Sequence, residues 1–279
     1  MTPGIHRMTS EQYHADPAPV ASLSSSIAQI MINQSPAHAW LQHPRLNPAF
    51  KPETNSRFDL GSAAHAMLLE GDNSKIVVVD ADDWRTKAAK EARDTATAMG
   101  KYAVLEKDYA EVMKMVFAAK CFLKDSELGD LLETGLAEQT VLWEENGVWC
   151  RARPDLLDGE GDIVLDYKTT SDASPENVAK QIGRMGYDLQ AEFYLRGVNA
   201  VTALVPTFVF LFQEIEPPYA CSLASLSASY QAVGRSKVNR AMHLWQTCTT
   251  TNNWPGYSNQ VAFVEPKPWD LAQAEELSV

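Results

Sequence analysis

The sequence predicts a mixed α/β fold of the α+β kind, in which a central mixed sheet is flanked by helices and preceded by a helical N-terminal part. Apolar residues recur at helical spacing through much of the first 135 positions. Three runs rich in β-branched and aromatic residues follow between positions 139 and 168, separated by glycine-containing turns. Of the 279 residues, 45% are hydrophobic, which is enough for one large core.

The first half is expected to be mainly helical. Residues 1–20 predict an irregular lead-in, because Pro17 and Pro19 interrupt it. A short strand is expected at Lys75–Val79, where β-branched residues cluster, and a loop at 43–56. Helices are expected to begin near Ser22–Ser26, Ser35–Pro36, Asp59 or Ser62, Asp82 and Val104, the fourth ending near Ala98 and the fifth continuing, with a break, to Leu132.

The second half is expected to carry the sheet. The strands are predicted at Gln139–Glu144, Val148–Arg153, Ile163–Lys168, Phe208–Gln213 and Tyr219–Leu223, and helices at Pro175–Val198 and Ser227–Thr247. No internal repeat or clear linker is visible. We therefore expect a single domain over 1–279, with a mainly helical part at 1–135, the catalytic core at 136–250 and a tail at 251–279.

Composition excludes several classes of protein. No stretch of about 18 apolar residues is present, so no membrane span is expected. The first residues lack the layout of a signal peptide, and the four cysteines are widely separated, which argues against a disulfide framework or a zinc site. These features favour a cytoplasmic protein. The net charge of −12 argues against tight non-specific DNA binding, although local cations can offset a distant acidic surface.

Three residues carry the clearest chemical signal: Asp155, Asp166 and Lys168. Asp166 and Lys168 are two apart on a predicted strand, so their side chains share a face. A glycine-containing turn joins this strand to the one that we expect to end at Asp155, so the two can pair as a hairpin. Two carboxylates with open water positions suit Mg²⁺ or Mn²⁺ better than zinc. An adjacent lysine can orient the attacking water, help to deprotonate it, or stabilise charge on a phosphodiester. An exposed hairpin with ordinary surface charges is the alternative.

Further residues strengthen this interpretation when they are taken together. His65 is a lone histidine on an otherwise apolar helix, although a buried, hydrogen-bonded histidine would look the same. Gln190 and Tyr194 lie on one face of the helix after the strand, although they also fit an ordinary helix surface. Arg151 and Arg153 alternate on the strand that leads to Asp155 and predict a local positive stripe.

These residues resemble the PD-(D/E)XK nuclease superfamily in its RecB-like branch, and more narrowly the nuclease domain of the RecE (exodeoxyribonuclease VIII) family and its phage relatives. The resemblance covers nearly all of the chain, and its joint pattern is more specific than any one piece. Asp166 stands where some members carry Glu, a change that preserves the chemistry. The supporting stretches are Leu23–Ser26, Ser35–His38, Gly61–Glu70, Arg153–Asp155, Asp166–Thr170, Tyr187–Gln190 and Trp254–Tyr257.

The resemblance implies a restriction-endonuclease-like core and a role for each residue of the set. His65, Asp155 and Asp166 would ligate Mg²⁺ or Mn²⁺ with the backbone carbonyl of Tyr167, and Lys168 would be catalytic. Three further residues have two open roles each: Glu138 would bind a second metal or support the site, and Gln190 and Tyr194 would contact DNA or support it.

The implied activity is a 5′→3′ exonuclease on linear double-stranded DNA that leaves 3′ single-stranded overhangs. The implied partners are a single-strand annealing protein or recombinase and further copies of the chain in a ring.

Other functions stay open. A Cas4-like nuclease, or another PD-(D/E)XK DNA nuclease with a different end or strand preference, is one alternative. The cysteine positions do not match the iron–sulfur cluster of the Cas4-like type, which needs one cysteine before the histidine and three near the C-terminus. A non-catalytic DNA-binding or scaffold protein would be expected to lose the Asp or Lys residues, which are all present here. No segment suggests the recognition domain of a sequence-specific endonuclease.

Overall fold

The computed structural model describes residues 1–51, 60–69, 71 and 76–277, and it confirms the mixed α+β fold with a central sheet. The expected cap at Asp59 and the start of a strand at Lys75 lie outside the described residues. The strands are β1 (Gly4–His6), β2 (Leu23–Ser24), β3 (Ile76–Val79), β4 (Tyr102–Leu105), β5 (Leu136–Ala137), β6 (Thr140–Glu145), β7 (Val148–Ala152), β8 (Leu156–Leu157), β9 (Ile163–Thr170), β10 (Thr207–Glu214) and β11 (Cys221–Ala224). The helices are α1 (Ser10–His14), α2 (Ser25–Asn33), α3 (Pro36–Leu41), α4 (Leu60–Leu69), α5 (Lys87–Ala98), α6 (Glu106–Lys124), α7 (Leu131–Thr134), α8 (Pro175–Met185), α9 (Tyr187–Thr202), α10 (Ala228–Thr251) and α11 (Pro268–Glu276).

A five-stranded mixed sheet forms the centre, in the order β11-β10-β9-β8-β5. Strand β9 runs parallel to β10 and antiparallel to β8. Because side chains alternate along a strand, β9 separates two apolar cores. Val164 packs on the side of α9, whereas Leu165 and Tyr167 pack on the side of α4 and α6. Asp166 and Lys168 therefore share the face of Val164, toward α9.

A second sheet has the order β1-β6-β7-β2 and takes two of its strands from the first 24 residues. The prediction of an irregular segment at 1–20 is wrong. Gly4–His6 pairs with β6, and Thr9 and Gln12 form a reciprocal capping box at the start of α1. Trp143 of β6 is buried against α9, where an added Cβ on Gly197 would lie 2.7 Å from the indole ring. The absence of a side chain at Gly197 therefore allows α9 to pack closely against the sheet.

Two predicted helices differ from the observed ones. The helix expected over Pro175–Val198 is broken at Gly186, which takes a left-handed conformation (φ 71°). Gln29 stabilises the break, because its amide donates to the Gly186 carbonyl at 3.0 Å. Residues 102–105, partly assigned to a helix, form a strand parallel to β3. The helix expected from Asp82 begins at Lys87, after the cap Thr86.

The remaining predicted elements agree with the structure to within a few residues wherever it describes them; positions 52–56 of the predicted loop lie outside the described residues. Among the described residues, no helix combines the length and apolar character needed to cross a membrane.

Candidate metal centre on the central hairpin

Strand β9 brings Asp166 and Lys168 into direct contact. Asp166 is fully buried, and its Oδ2 lies 2.5 Å from the Nζ of Lys168. The other oxygen, Oδ1, accepts a hydrogen bond of 2.8 Å from the Nε2 of Gln190 on α9. Because a buried carboxylate needs compensating partners, this ion pair and hydrogen bond hold Asp166 in a fixed orientation.

Asp155 lies beside this pair, at a slightly different place from the predicted one. The strand before it, β7, already ends at Ala152, and Asp155 precedes the two-residue strand β8. The hairpin therefore pairs β8, not β7, with β9. The backbone N–H of Tyr167 donates to Asp155 Oδ2 at 2.7 Å. In an extended strand the N–H and C=O of one residue point to the same edge, so the Tyr167 carbonyl also faces the edge beside Asp155.

His65 reaches the same edge from α4. Its Nε2 lies 3.1 Å from Asp155 Oδ2, and its Nδ1 lies 3.8 Å from Glu138 Oε1. The side chain is 29% exposed, so His65 is not a fully buried core histidine. Helix α4 approaches β9 very closely, since an added Cβ on Gly61 would lie 2.4 Å from the Oγ1 of Thr169.

The compact donor set differs in one member from the predicted one. His65, Glu138 and Asp155 each offer one ligand atom, and these atoms lie within 4.8 Å of one another. Glu138 thus joins the cluster, whereas Asp166 stands next to it with both oxygens engaged by Lys168 and Gln190. Carboxylate oxygens suit Mg²⁺ and Mn²⁺, and an imidazole is an acceptable further ligand for a divalent metal. The donor set therefore fits a divalent cation.

Burial and charge compete over the protonation of this cluster. Burial alone would lower the pKa of His65, but the Asp155 carboxylate, helped by Glu138, raises it to about 9. Burial would raise the pKa of Asp155, yet His65 and Lys168 hold it below its usual value. The pKa of Glu138 is raised, because burial and the nearby Asp155 charge both disfavour its ionised form. Two carboxylates thus converge on one point, where a bound cation would relieve their repulsion.

The Asp166–Lys168 pair is also perturbed by burial. Burial raises the pKa of Asp166 to about 6, against the opposing pull of Lys168. Burial would lower the pKa of Lys168, but the Asp166 and Asp155 carboxylates outweigh it and hold the pKa above its ordinary value. These carboxylates therefore favour the ammonium form of Lys168, which can donate hydrogen bonds.

The two arginines predicted as a positive stripe do not form one on the surface. Arg151 is buried, and its Nη1 donates to the backbone carbonyl of Ser22 at 2.6 Å and lies 3.4 Å from Asp16 Oδ1. Its predicted DNA contact is therefore wrong for this conformation, because Ser22 and Asp16 occupy the guanidinium. Arg153 is 10% exposed and forms an ion pair with Glu138.

Tyr194 is buried as well, with its ring 6.2 Å from that of Phe208. Of its two predicted roles, this position fits support of the site and not contact with DNA. Gln190 likewise supports the site through its bond to Asp166.

One neighbour of the cluster had no predicted role. The Nζ of Lys168 lies 4.9 Å from the centroid of the Tyr187 ring, a cation–π contact. The ring is held in turn by Phe210 and Phe212, at centroid distances of 5.8 and 6.2 Å. The sequence signals for Tyr187 are its place in the stretch Tyr187–Gln190, which belongs to the family resemblance, and its spacing from Gln190, three apart on one helix face.

Comparison with known proteins identifies a family and a fold. Residues 24–267 match the model of a family described as a PDDEXK-like domain of unknown function (DUF3799). The solved structure of a protein described as "Putative exonuclease" from Eubacterium rectale is similar at a TM-score of 0.61 and 12% identity, covering 95% of this chain and 98% of that one. At this identity the likeness concerns the fold alone.

Two other comparisons add no argument. The solved structure of SSO0001 aligns at a TM-score of only 0.29 and 15% identity, covering 66% of this chain and 84% of that one. No curated protein matches the sequence.

Proposed function

The chain belongs to the PDDEXK-like domain family, and we propose that it is a metal-dependent exonuclease that degrades linear double-stranded DNA. The single observation that carries the proposal is the convergence of His65, Glu138 and Asp155 beside the buried Asp166–Lys168 pair. An ordinary surface hairpin would not place two carboxylates, an imidazole and a buried lysine together, since burying these groups is costly without a ligand.

The donor cluster has a defined task in this proposal. His65, Asp155 and Glu138 would hold Mg²⁺ or Mn²⁺, with the Tyr167 carbonyl on the same edge and the adjacent Asp166 carboxylate as further oxygen donors. Such a cation, when bound, lowers the pKa of a coordinated water and neutralises charge on the phosphate. The hydroxyl of Tyr167 donates to Gln213 Oε1 at 2.5 Å, which anchors the residue whose N–H orients Asp155.

Lys168 has an electrostatic role in this proposal. Because Asp166 and Asp155 favour its protonated form, its Nζ can donate a hydrogen bond. Asp166 on one side and the Tyr187 ring on the other fix the direction of Nζ. The group can then stabilise the negative charge that builds on a phosphate oxygen during hydrolysis.

The finer parts of the proposal rest on the family resemblance. Digestion would run 5′→3′ and leave 3′ single-stranded overhangs, which an annealing protein or recombinase would use. Ring-shaped assembly would keep an acidic chain, of net charge −12, on its substrate. The structural neighbour from Eubacterium rectale is itself described as a "Putative exonuclease", which supports this activity.

Digestion of end-labelled DNA tests the proposal. Wild type with Mg²⁺ should degrade a linear duplex and release a 5′ label before a 3′ label, and it should leave closed circular DNA intact. EDTA, Asp166→Ala and Lys168→Ala should each abolish digestion. Lys180→Ala is the matched control, because Lys180 is an exposed lysine that pairs with Glu176, and it should retain full activity.

Other outcomes separate the alternatives. Release of the 3′ label first would indicate a different end preference within the same fold. Equal cutting of closed circles would indicate an endonuclease. Binding of DNA without digestion, under every divalent metal tried, would indicate a non-catalytic member.

A further inference from the structure

A cavity of about 700 Å³ adjoins the candidate metal centre. It lies between the segment that links β1 to α1 and the segment from Gly135 to Gln139, and Arg153 completes its lining. Its size falls in the range of about 300–1,000 Å³ that is usual for sites holding a small molecule or a single nucleotide-sized group.

Glu138 connects this cavity to the metal centre. Its Oε1 is the atom 3.8 Å from His65 Nδ1, and its Oε2 forms the ion pair with Arg153. Glu138 and Arg153 both line the cavity. Glu138 therefore borders both the donor cluster and the cavity. A DNA strand whose scissile phosphate lies at the donor cluster would place its neighbouring nucleotide at the cavity.

The cavity is locally positive in a chain of net charge −12. The charged residues of its lining are Arg7, Arg153 and Glu138. Glu138 balances one arginine, and within the described part of the chain no carboxylate pairs with Arg7, which is exposed. Arg153 is 10% exposed, and its Nη1 is buried without a hydrogen-bond partner among the described residues. The Arg7 guanidinium thus has no carboxylate partner among the described residues, and the Arg153 guanidinium has an N–H group without an acceptor there.

The backbone of Arg7 and the guanidinium of Arg153 are positioned before any ligand binds. Arg7 follows β1, whose His6 pairs with Thr140, and precedes the Thr9–Gln12 capping box, so its backbone is fixed on both sides. The guanidinium of Arg153 lies 5.9 Å from the centroid of the Tyr13 ring. A guanidinium that is already positioned loses little freedom when it binds a phosphate.

We propose that this cavity binds the DNA nucleotide next to the scissile bond, with Arg7 and Arg153 on its phosphate. The inference rests on the proposed function, since it assigns the substrate's neighbouring nucleotide to a site beside the same centre. Arg7 contributes ground-state binding and touches no reacting atom.

Equilibrium binding of a fluorescein-labelled linear duplex, measured in EDTA over a series of KCl concentrations, tests the cavity. Arg7→Ala should weaken binding and reduce the slope of log K against log salt by about 0.9, as expected when one phosphate contact is lost. Arg7→Lys should retain most of the slope. Arg85→Ala is the matched control, because Arg85 is 91% exposed, lines none of the cavity and should leave the slope unchanged.

Digestion with Mg²⁺ provides the second readout. Arg7→Ala should raise KM and leave kcat near the wild-type value, because uniform binding affects KM alone. If wild type digests DNA and Arg7→Ala matches Arg85→Ala in slope and KM, the proposed nucleotide site in the cavity is wrong and the proposed nuclease activity stands. A wild type that neither binds nor digests DNA would overturn both.

Discussion

Gly61→Ala tests how the centre is assembled, because it acts on His65 without touching it. An added Cβ at Gly61 would lie 2.4 Å from the Oγ1 of Thr169 and 3.3 Å from its Cβ and Cγ2. Rotating the threonine can bring Hβ into the place of Oγ1, but the threonine Cβ still lies 3.3 Å from the added atom, which is tighter than ordinary contact. With the observed threonine rotamer, helix α4 must move away from β9 by roughly 1 Å to restore ordinary contact, and His65 moves with it.

The expected magnitudes follow from this displacement. Overpacking of this kind costs about 1–3 kcal/mol of unfolding free energy, which exceeds the gain of at most about 1 kcal/mol from replacing glycine in a helix. His65 Nε2, now 3.1 Å from Asp155 Oδ2, would lose that contact. A misplacement of roughly 1 Å at a reacting centre costs about 100-fold in rate, so we expect a loss of activity well beyond the loss of stability.

Urea denaturation and single-turnover digestion, run on four proteins, measure both effects. The set is wild type, Gly61→Ala, Thr169→Ala and the double variant. Thr169→Ala removes Oγ1 and Cγ2 and leaves Cβ at 3.3 Å, so Gly61→Ala should cost much less in that background. The reasoning is refuted if Gly61→Ala alone keeps wild-type activity, or if the two substitutions are additive.

Three more outcomes are expected. Tyr187→Leu should lower kcat while Tyr187→Phe retains it, because the ring that faces the Lys168 ammonium matters and the hydroxyl does not; equal rates for both variants would contradict the contact. Glu138→Gln should weaken Mn²⁺ binding in calorimetry by about tenfold or more, since it removes one charged oxygen donor, and an unchanged affinity would remove Glu138 from the ligand set. Stability should also depend on His43, whose pKa is lowered to about 4 because burial and the Arg151 charge disfavour its protonated form. In the unfolded chain His43 takes up a proton near pH 6.5, so its contribution to the free energy of unfolding is fully present above that pH. This contribution is lost, by up to roughly 3 kcal/mol, as the pH drops toward 4. His43→Asn should flatten this part of the plot of urea midpoint against pH.

The pH prediction for His43 has a structural basis beyond charge. Its Nε2 donates to the Ser22 carbonyl at 3.0 Å, and its Nδ1 accepts the Arg45 N–H at 3.2 Å. A second ring proton would face the Arg45 donor, so the neutral form is the one that the surroundings satisfy. A profile that is equally steep in His43→Asn would assign the pH dependence to another group.

Patterns that depend on local geometry were predictable from the sequence. Asp166 and Lys168 share a face because side chains alternate along any strand. The structure places Asp166 Oδ2 and Lys168 Nζ 2.5 Å apart. Gln190 lies on α9, the second helix after the strand, and it does reach Asp166. The mixed sheet followed from the order of strand and helix patterns, which is itself a local property of the chain.

Features set by distant neighbours were not predictable in this way. Gly186 inside a helical pattern is a weak signal, since glycine costs only about 1 kcal/mol there, and the contact with Gln29 across 157 positions accompanies the break. Arg151 looked like a surface cation, but Ser22 and Asp16 cover it from a segment more than 120 residues away.

The sequence alone determined the fold class and the residue types that can perform metal-dependent hydrolysis, because strand periodicity and side-chain chemistry are local. Only the tertiary structure decided which of those residues meet. Glu138 converges with His65 and Asp155 because its backbone N–H donates to the Asp155 carbonyl at 3.0 Å, and because Gly61 lets α4 approach β9. Such contacts depend on packing between segments that are far apart in the chain. The periodicity of a sequence reports only local structure, so it does not predict them.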